Sequence, residues 1–396
     1  MPPGASRQHR PVSCTGQSEI VVRVGAATAS WVLADDNQLI SMIRKATVTS
    51  GQPIGRPFVA SLVGFGYWGP NLARNLSASR DFDLKYISDI SSDCLESAKH
   101  LYRSSTCVAD SAVALSDPDV DVVFVATPAS THFELCQEAL RNGKNVLVEK
   151  PLTLDATSSE ALVRLARQQG LMLAVDHTFV FTGAVQKLRE LVVEGELGAL
   201  RYFDSIRMNL GLVQSDINVL WDLAVHDLSI LQFVTDRVPV AVSATGRAHA
   251  PSTQTSTAYM TLFYEDDFIA HIGTSWMSPV KIRRSLLAGT RQMVVYDDQD
   301  AGQQVKLFDS GVETSSVPGA DRRRLVQTRV GDMLAPKVDT REALAVELKD
   351  LASCMRGEVE PLVPGESGLD IVRVLEAATR SLDQNGSSFP VIYDSS

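Results

Sequence analysis

From Phe58 onward, short runs of apolar residues alternate with amphipathic stretches of helical length, the pattern of repeated strand-helix units. The runs Phe58 to Val63, Leu84 to Ser88, Val122 to Ala126, Val146 to Val148 and Leu171 to Val175 are nearly all apolar. Strands of that kind belong to a parallel sheet covered by helices on both faces. Between two of them, the segment from Ser130 to Asn142 sets Phe133, Cys136 and Leu140 on one side and is followed by Gly143, which predicts a helix with a glycine stop. This unit is expected to close near Asp176.

After His177 the period changes. The stretches Leu200 to Asn209, Val240 to Ala248, Ser256 to Tyr264, Phe268 to Trp276, Lys281 to Ala288 and Gln292 to Asp297 are longer and alternate, which predicts a large, mostly antiparallel open sheet. Helices are expected over Gly183 to Glu194, Val219 to Val234, Glu342 to Met355 and Ser367 to Leu382, with a short edge and a loose end after Ser387. The fold class is therefore α/β: a parallel-sheet domain over 57–177, then an α+β domain over 178–396. Residues 1–56 follow neither pattern and read as a poorly ordered N-terminal extension. The run from Val24 to Ala34, preceded by Arg7, Arg10 and Arg23, loosely mimics a signal peptide, but Glu19 and Arg23 interrupt it, and Met42 is an alternative start.

A chain of 396 residues exceeds one ordinary core, and 44% hydrophobic with 21% charged residues is a globular composition. The net charge of -10 argues against a nucleic-acid binder, which needs a basic face to displace counterions. Five cysteines without a C-x-x-C pair imply neither a zinc site nor a disulfide framework, and fit a reducing cytoplasm. No run approaches the ~18 apolar residues of a membrane span. Small-molecule chemistry remains.

Val59 to Leu76 reads as a strand entering Gly64-Phe65-Gly66-Tyr67-Trp68-Gly69 and then an amphipathic helix with Pro70 in its first turn. Gly64 permits the tight turn, Gly66 lets the backbone approach a pyrophosphate, and Gly69 lets the helix pack closely on the strand. The bulky Tyr67 and Trp68 shape that approach. The next strand ends at Asp89, twenty residues beyond Gly69, where a carboxylate accepts hydrogen bonds from an adenosine ribose. The order predicts a Rossmann dinucleotide-binding domain. Asp89 repels a 2'-phosphate and no Arg or Lys lies in 90–93, so NAD is preferred over NADP. Asp89 could instead cap the next helix, although Ser91 is available for that.

Two further motifs carry chemistry. Lys150, in Glu149-Lys150-Pro151, emerges from the carboxyl end of a parallel strand, where such sheets bind ligands. It is a candidate to stabilise a developing oxyanion, against the alternative of a surface lysine. In Trp221-Asp222-Leu223-Ala224-Val225-His226-Asp227, a helical Asp222 and His226 project from one face, so a carboxylate can orient an imidazole base. The bland alternative is an ion pair on a helix surface.

The stretches G-F-G-Y-W-G-P-N, A-T-P-A-S-T-H, V-E-K-P-L and W-D-L-A-V-H-D, in this order, closely resemble the Gfo/Idh/MocA oxidoreductases, from about Pro57 to the C-terminus. His177 to Asp227 resembles a subgroup associated with nucleotide-sugar oxidation. The resemblance implies Lys150, Asp222 and His226 as the catalytic group. It also implies Thr127, Pro128 and His132 as a second cofactor-contacting loop and Glu149 as a neighbour near the nicotinamide. It further implies an NAD-dependent hydride transfer at a CH-OH group of a sugar, inositol or nucleotide-sugar, with no metal. His226, held by Asp222, would take the hydroxyl proton while Lys150 polarises the oxygen. The open sheet would form the interface of a homodimer or homotetramer. His177, Asn209 and Lys281 are substrate-pocket candidates. The rival expectations are a glycosidase that recycles bound NAD and a non-catalytic NAD-binding protein.

Overall fold

The computed structural model describes residues 19–24, 27–32, 55–211, 216–249, 254–315 and 325–393. Strands β1 (Glu19–Val24) and β2 (Ala27–Val32) pair as an antiparallel hairpin, with Glu19 opposite Val32 and Val24 opposite Ala27. They belong to a unit of their own, separate from 55–396. This local pairing is more order than the sequence suggests for 1–56, and the rest of that expectation lies outside the described residues.

The second unit begins with the glycine-turn lobe. Its strands are β3 (Phe58–Val63), β4 (Phe82–Ser88), β5 (Thr106–Val108), β6 (Val122–Val125), β7 (Asn145–Glu149) and β8 (Leu173–Asp176). Between them run helices α1 (Gly69–Ala78), α2 (Ser92–Leu101), α3 (Ser111–Ser116), α4 (His132–Arg141) and α5 (Ala156–Gln169). The sheet order is β5-β4-β3-β6-β7-β8, with every pair parallel. Chain direction across the sheet reverses between β3 and β6, and the crevice beyond their carboxyl ends is where such sheets take ligands. β5 was not anticipated, because three residues are too few to show a period.

The remaining lobe contains α6 (Gly183–Val193), β9 (Leu200–Leu210), a π-helical turn (Leu220–Ala224) running into α7 (Val225–Thr235), β10 (Ala241–Arg247), β11 (Thr257–Phe263) and β12 (Ile269–Ser275). It continues with β13 (Met277–Gly289), β14 (Met293–Asp297), β15 (Val305–Ser315), β16 (Leu325–Leu334), α8 (Ala343–Met355), α9 (Gly365–Asp383) and β17 (Phe389–Pro390). The nine strands run β16-β15-β14-β13-β9-β12-β11-β10-β17, antiparallel except for β9 beside β12. Along β9 the alternation divides the sheet into an inner face, with Phe203, Ser205 and Arg207 buried, and an outer face, with Tyr202, Asp204 and Ile206 exposed.

At its C-terminal end the chain returns to the first lobe. α8 packs against α1, and its Leu344, Leu348, Leu351 and Ala352 join the apolar cluster of Leu62, Leu72, Leu76 and Phe124. The chain thus returns to cover the β3-β4 side of the first lobe, and each buried leucine contributes about 1.5–3 kcal/mol there. A second apolar cluster runs without a break from Val123 and Val148 through Leu220 and Val225 to Ile272 and Leu375, so the two lobes share a core. Among the described residues no helix is long and apolar enough to cross a membrane.

Candidate active site

The glycine turn closes on itself at two points and stays open at the third. Gly64 has φ +99, and a Cβ there would lie 2.4 Å from the Ala126 carbonyl oxygen. A Cβ on Gly69 would lie 2.2 Å from the carbonyl oxygen of Gly64. A Cβ on Gly66 would meet nothing within 4 Å, so bare backbone faces open space there. α1 starts with no side-chain cap and no acidic residue in its first turn, which leaves the positive end of its dipole for an anion.

Asp89 stands beside that space. Its Oδ2 accepts from the Phe65 amide at 2.6 Å and its Oδ1 from the Ser91 amide at 2.8 Å, while Ser91 itself caps α2 through the Cys94 amide. The carboxylate is fixed by backbone and keeps lone pairs for ribose hydroxyls. Ile90, next along, is 97% exposed and carries no charge to receive a 2'-phosphate. Phe65 is buried edge-on to Tyr102, Tyr67 is 87% exposed, and Trp68 turns inward to donate its indole N–H to Asp176 Oδ2 at 2.9 Å. Thr127 lies over Gly64 and accepts from the Thr131 hydroxyl, with Pro128 exposed beside it. These features fit a dinucleotide: an open backbone cradle, an uncapped helix start and a pre-oriented carboxylate.

His132 lies behind the loop that holds Thr127 and Pro128. Its ring is buried, with Nδ1 2.8 Å from the Pro151 carbonyl oxygen and Nε2 3.0 Å from that of Thr127. Its single N–H donates to one of the two carbonyls, and the ring sits between the two loops that follow β6 and β7. Burial lowers its proton affinity.

Lys150 projects from the end of β7 across to the other lobe. Its Nζ donates to the Asp222 carbonyl oxygen at 2.8 Å and to Oδ1 at 3.0 Å, and the Trp276 indole N–H donates to Oδ2 at 2.8 Å. Lys150 is therefore no surface lysine. The expected contact of Asp222 with His226 is not made. Asp222 sits in the π-helical turn, whose wider spacing breaks the i,i+4 relation the sequence suggested, and its carboxylate is engaged instead by Lys150 and Trp276. His226 Nδ1 is buried without a partner, and the ring meets Phe179 edge-on at 5.1 Å. Phe179 in turn lies under the Arg207 guanidinium at 4.5 Å and that of Arg283 at 5.3 Å. Burial, then the charges of Lys150, Arg207 and Arg283, push the His226 imidazole well below its usual proton affinity, so it is neutral.

Of the proposed substrate contacts, His177 is 1% exposed with neither ring nitrogen partnered, and burial drops its pKa to about 4. It lies beneath the cleft near Lys150 and His226. Asn209 is half-buried, two residues beyond Arg207 on the inner side of β9. Lys281 stays exposed, and its neighbour but one, Arg283, reaches the site instead. Glu149 ends β7 with a buried, donorless Oε1. Sequence reading missed Phe179, Arg207, Trp276 and Arg283. The one available signal was the alternation Ser205, Arg207, Asn209, which puts polar groups on the sheet face that should be apolar. Arg207 pairs there with Asp227 at 2.8 and 3.2 Å, both buried.

Comparison with known proteins agrees with this geometry. Residues 58–177 match the model of the oxidoreductase family with an NAD-binding Rossmann fold, GFO_IDH_MocA, and residues 185–295 match the GFO/IDH/MocA C-terminal domain. The UDP-N-acetylglucosamine 3-dehydrogenase of Acidithiobacillus ferrooxidans is 28% identical over 319 residues, 80% of this chain and 94% of that protein. The myo-inositol 2-dehydrogenase of Thermotoga maritima is 23% identical over 82% of this chain and 96% of its own length. The crystal structure of GenD2 from gentamicin A biosynthesis in complex with NAD superposes with a TM-score of 0.73 at 22% identity, covering 87% of this chain and 99% of that one, a likeness of fold. The chain belongs to the Gfo/Idh/MocA family of NAD-binding Rossmann-fold oxidoreductases.

Proposed function

We propose that this enzyme transfers a hydride between NAD and a secondary CH-OH group of a sugar, with a nucleotide-sugar as the substrate class, and that Lys150, Asp222 and His226 carry the chemistry. The single observation behind this is the ion pair of Lys150 with Asp222, one residue from each lobe, beside a neutral imidazole with an unpartnered nitrogen. The glycine turn, Asp89 and Thr127 hold the dinucleotide. Bound NAD supplies the hydride acceptor.

The protein side of the reaction then divides as follows. His226, neutral across the working pH range, takes the proton of the hydroxyl that is oxidised. The Lys150 ammonium faces the same oxygen and stabilises the charge that develops on it, while Asp222 and Trp276 hold that ammonium still. Arg207 and Arg283 clamp Phe179, which fixes the imidazole plane and adds positive potential around the oxygen. The nucleotide-sugar assignment draws support from the similarity to the UDP-N-acetylglucosamine 3-dehydrogenase.

The outer face of the large sheet supports a homo-oligomer. Phe263, Ile269 and Tyr202 are cross-strand neighbours, as are Tyr259, Gly273 and Ile206, and all the large side chains among them are exposed. Two apolar rows of this kind, on either side of the polar row of Thr261, His271 and Asp204, are a docking surface for a second copy. The function is tested by following nicotinamide absorbance with a panel of sugars, inositols and UDP-sugars. NADH accumulating with a UDP-sugar is expected. Glycoside cleavage without NADH, or NAD binding without turnover on any of them, would overturn the assignment.

A further inference from the structure

Behind the glycine turn lies a group of carboxyls that the hydride transfer does not use. Asp176, buried at the end of β8, accepts from the Trp68 indole N–H at 2.9 Å and from the Thr178 amide and hydroxyl at 3.1 and 2.5 Å. Three donors make it the acceptor of the group. Two more buried carboxyls face it: Glu149, its direct neighbour in the β7-β8 register, and Glu347 from α8. Glu347 is 1% exposed and interrupts the apolar stripe of Leu344, Leu348 and Leu351.

Neither glutamate has a compensating cation. Glu149 Oε1 and both oxygens of Glu347 meet no N–H or O–H donor, and the neighbouring Lys150 is committed to Asp222. Among the described residues no cluster of carboxyls has the arrangement of a cation site. Carboxylates facing one another in an apolar setting, with only the Lys150 amide donating to Glu149, would lose several kcal/mol of hydration with little repayment. A proton on each glutamate removes the conflict, since a neutral carboxyl donates one O–H to Asp176. Burial, then the Asp176 charge, push both groups well above the usual carboxylate range. The other titratable groups facing the cluster are Lys150, which favours ionised Glu149, His177, which is neutral, and Asp350, which opposes ionisation of Glu347.

We propose that Glu149 and Glu347 each donate a retained proton to Asp176, and that this buried triad is a positioning device holding the Trp68 glycine turn in register with the Lys150 strand for NAD. The triad joins four segments that the cofactor site needs in fixed relation: the turn through Trp68, β7 through Glu149, the start of the second lobe through Thr178 and the C-terminal α8 through Glu347. Its loss acts on NAD affinity. The inference rests on NAD binding at the glycine turn and is tested partly without it.

Infrared spectra of the full, NAD-free chain in heavy water at neutral pH should show the carbonyl stretch of a neutral carboxylic acid, diminished in Glu347→Gln. An identical band in the variant, or no such band in the wild type, overturns the triad whatever the chain binds. Tryptophan fluorescence then reads the Kd for NAD. Glu347→Gln keeps an N–H donor to Asp176 and should stay within about threefold of wild type, whereas Glu347→Leu and Trp68→Phe should each weaken NAD about tenfold, the scale of one charge-assisted hydrogen bond. Because both act through Asp176, their combination should weaken NAD little further. Equal affinities for the Gln and Leu variants would overturn the positioning role. Should Glu347→Leu fail to fold, Trp68→Phe at wild-type affinity does so. As pH rises and the shared protons leave, wild type should lose NAD affinity before Glu347→Gln does, and identical alkaline profiles contradict the proposal.

Discussion

His177 offers a measurement in which one side chain can be isolated from the rest of the molecule. Its ring is buried and neither nitrogen has a partner, so His177→Phe removes a titration without removing a hydrogen bond. In the folded chain burial holds its pKa at about 4, against an unfolded value of about 6.5. Below pH 6.5 the unfolded chain takes up a proton that the folded chain refuses, so stability falls as pH falls. Between pH 7.5 and pH 5 the loss comes to about 2 kcal/mol, and it levels off at about 3.4 kcal/mol below about pH 3. Glu149 and Glu347 act in the opposite sense, since their raised folded values make stability fall as pH rises above the usual carboxylate range. The absolute curve mixes these slopes, whereas the difference between wild type and His177→Phe carries His177 alone. Urea midpoints at the two pH values measure it. Any overpacking by the phenyl ring displaces both midpoints equally, and the variant should lose about 2 kcal/mol less than wild type on acidification. Parallel curves would show that His177 is solvated or protonated in the folded chain, and its place beneath the cleft would have to be abandoned.

His226→Asn should lower kcat by about 10²–10⁴-fold while NAD Kd by fluorescence stays within about twofold, because the base acts on the substrate hydroxyl and the dinucleotide sits on the other lobe. Gly66→Val and Gly69→Ala should separate binding from folding. The first fills open space before α1, so it should raise NAD Kd at unchanged thermal midpoint. The second drives a methyl against the Gly64 carbonyl oxygen and should destabilise by about 1–3 kcal/mol. Ile206→Glu places a charge in the exposed apolar rows of the sheet, and light scattering should show the oligomer dissociating into protomers that still bind NAD.

The lobes were legible where local pattern decides structure. Near-continuous apolar runs gave β3, β4, β6, β7 and β8, because strands covered on both faces need no polar alternation. β15 and β16 were missed, and the register shift between Phe308 and Ser310 shows why: a bulge in a strand that also holds Asp309 and Gly311 destroys the period of two. Helix α8 was found, but its place on the first lobe was not, since an apolar stripe names no partner. In the site, Gly64, Gly66, Gly69, Asp89 and Lys150 were readable as positions in strand-turn motifs. Asp222 and His226 were readable as residues and misread as a contact, because a π-helical turn looks in sequence like any other helix. Trp276, Arg207 and Glu347 come from distant segments and carried no local signal beyond polar residues at apolar positions.

Those polar residues share a logic. Each buried or half-buried cation near His226 has its own carboxylate: Lys150 with Asp222, Arg207 with Asp227, Arg283 with Asp298. Removing any one carboxylate would leave an unpaired charge inside the protein, which costs about 3–5 kcal/mol where the pair is fully buried, as it is at Arg207. None of the three carboxylates is hydrogen-bonded to the imidazole, while three cations bear on it. Pairing therefore makes the cations tolerable to the fold without neutralising their effect on His226. An orienting carboxylate on His226 would have raised its proton affinity and stabilised the imidazolium. On the proposed function, the site instead keeps the base neutral and surrounds the reacting oxygen with positive charge, so the expected gain lies in stabilising the alkoxide more than in strengthening the base.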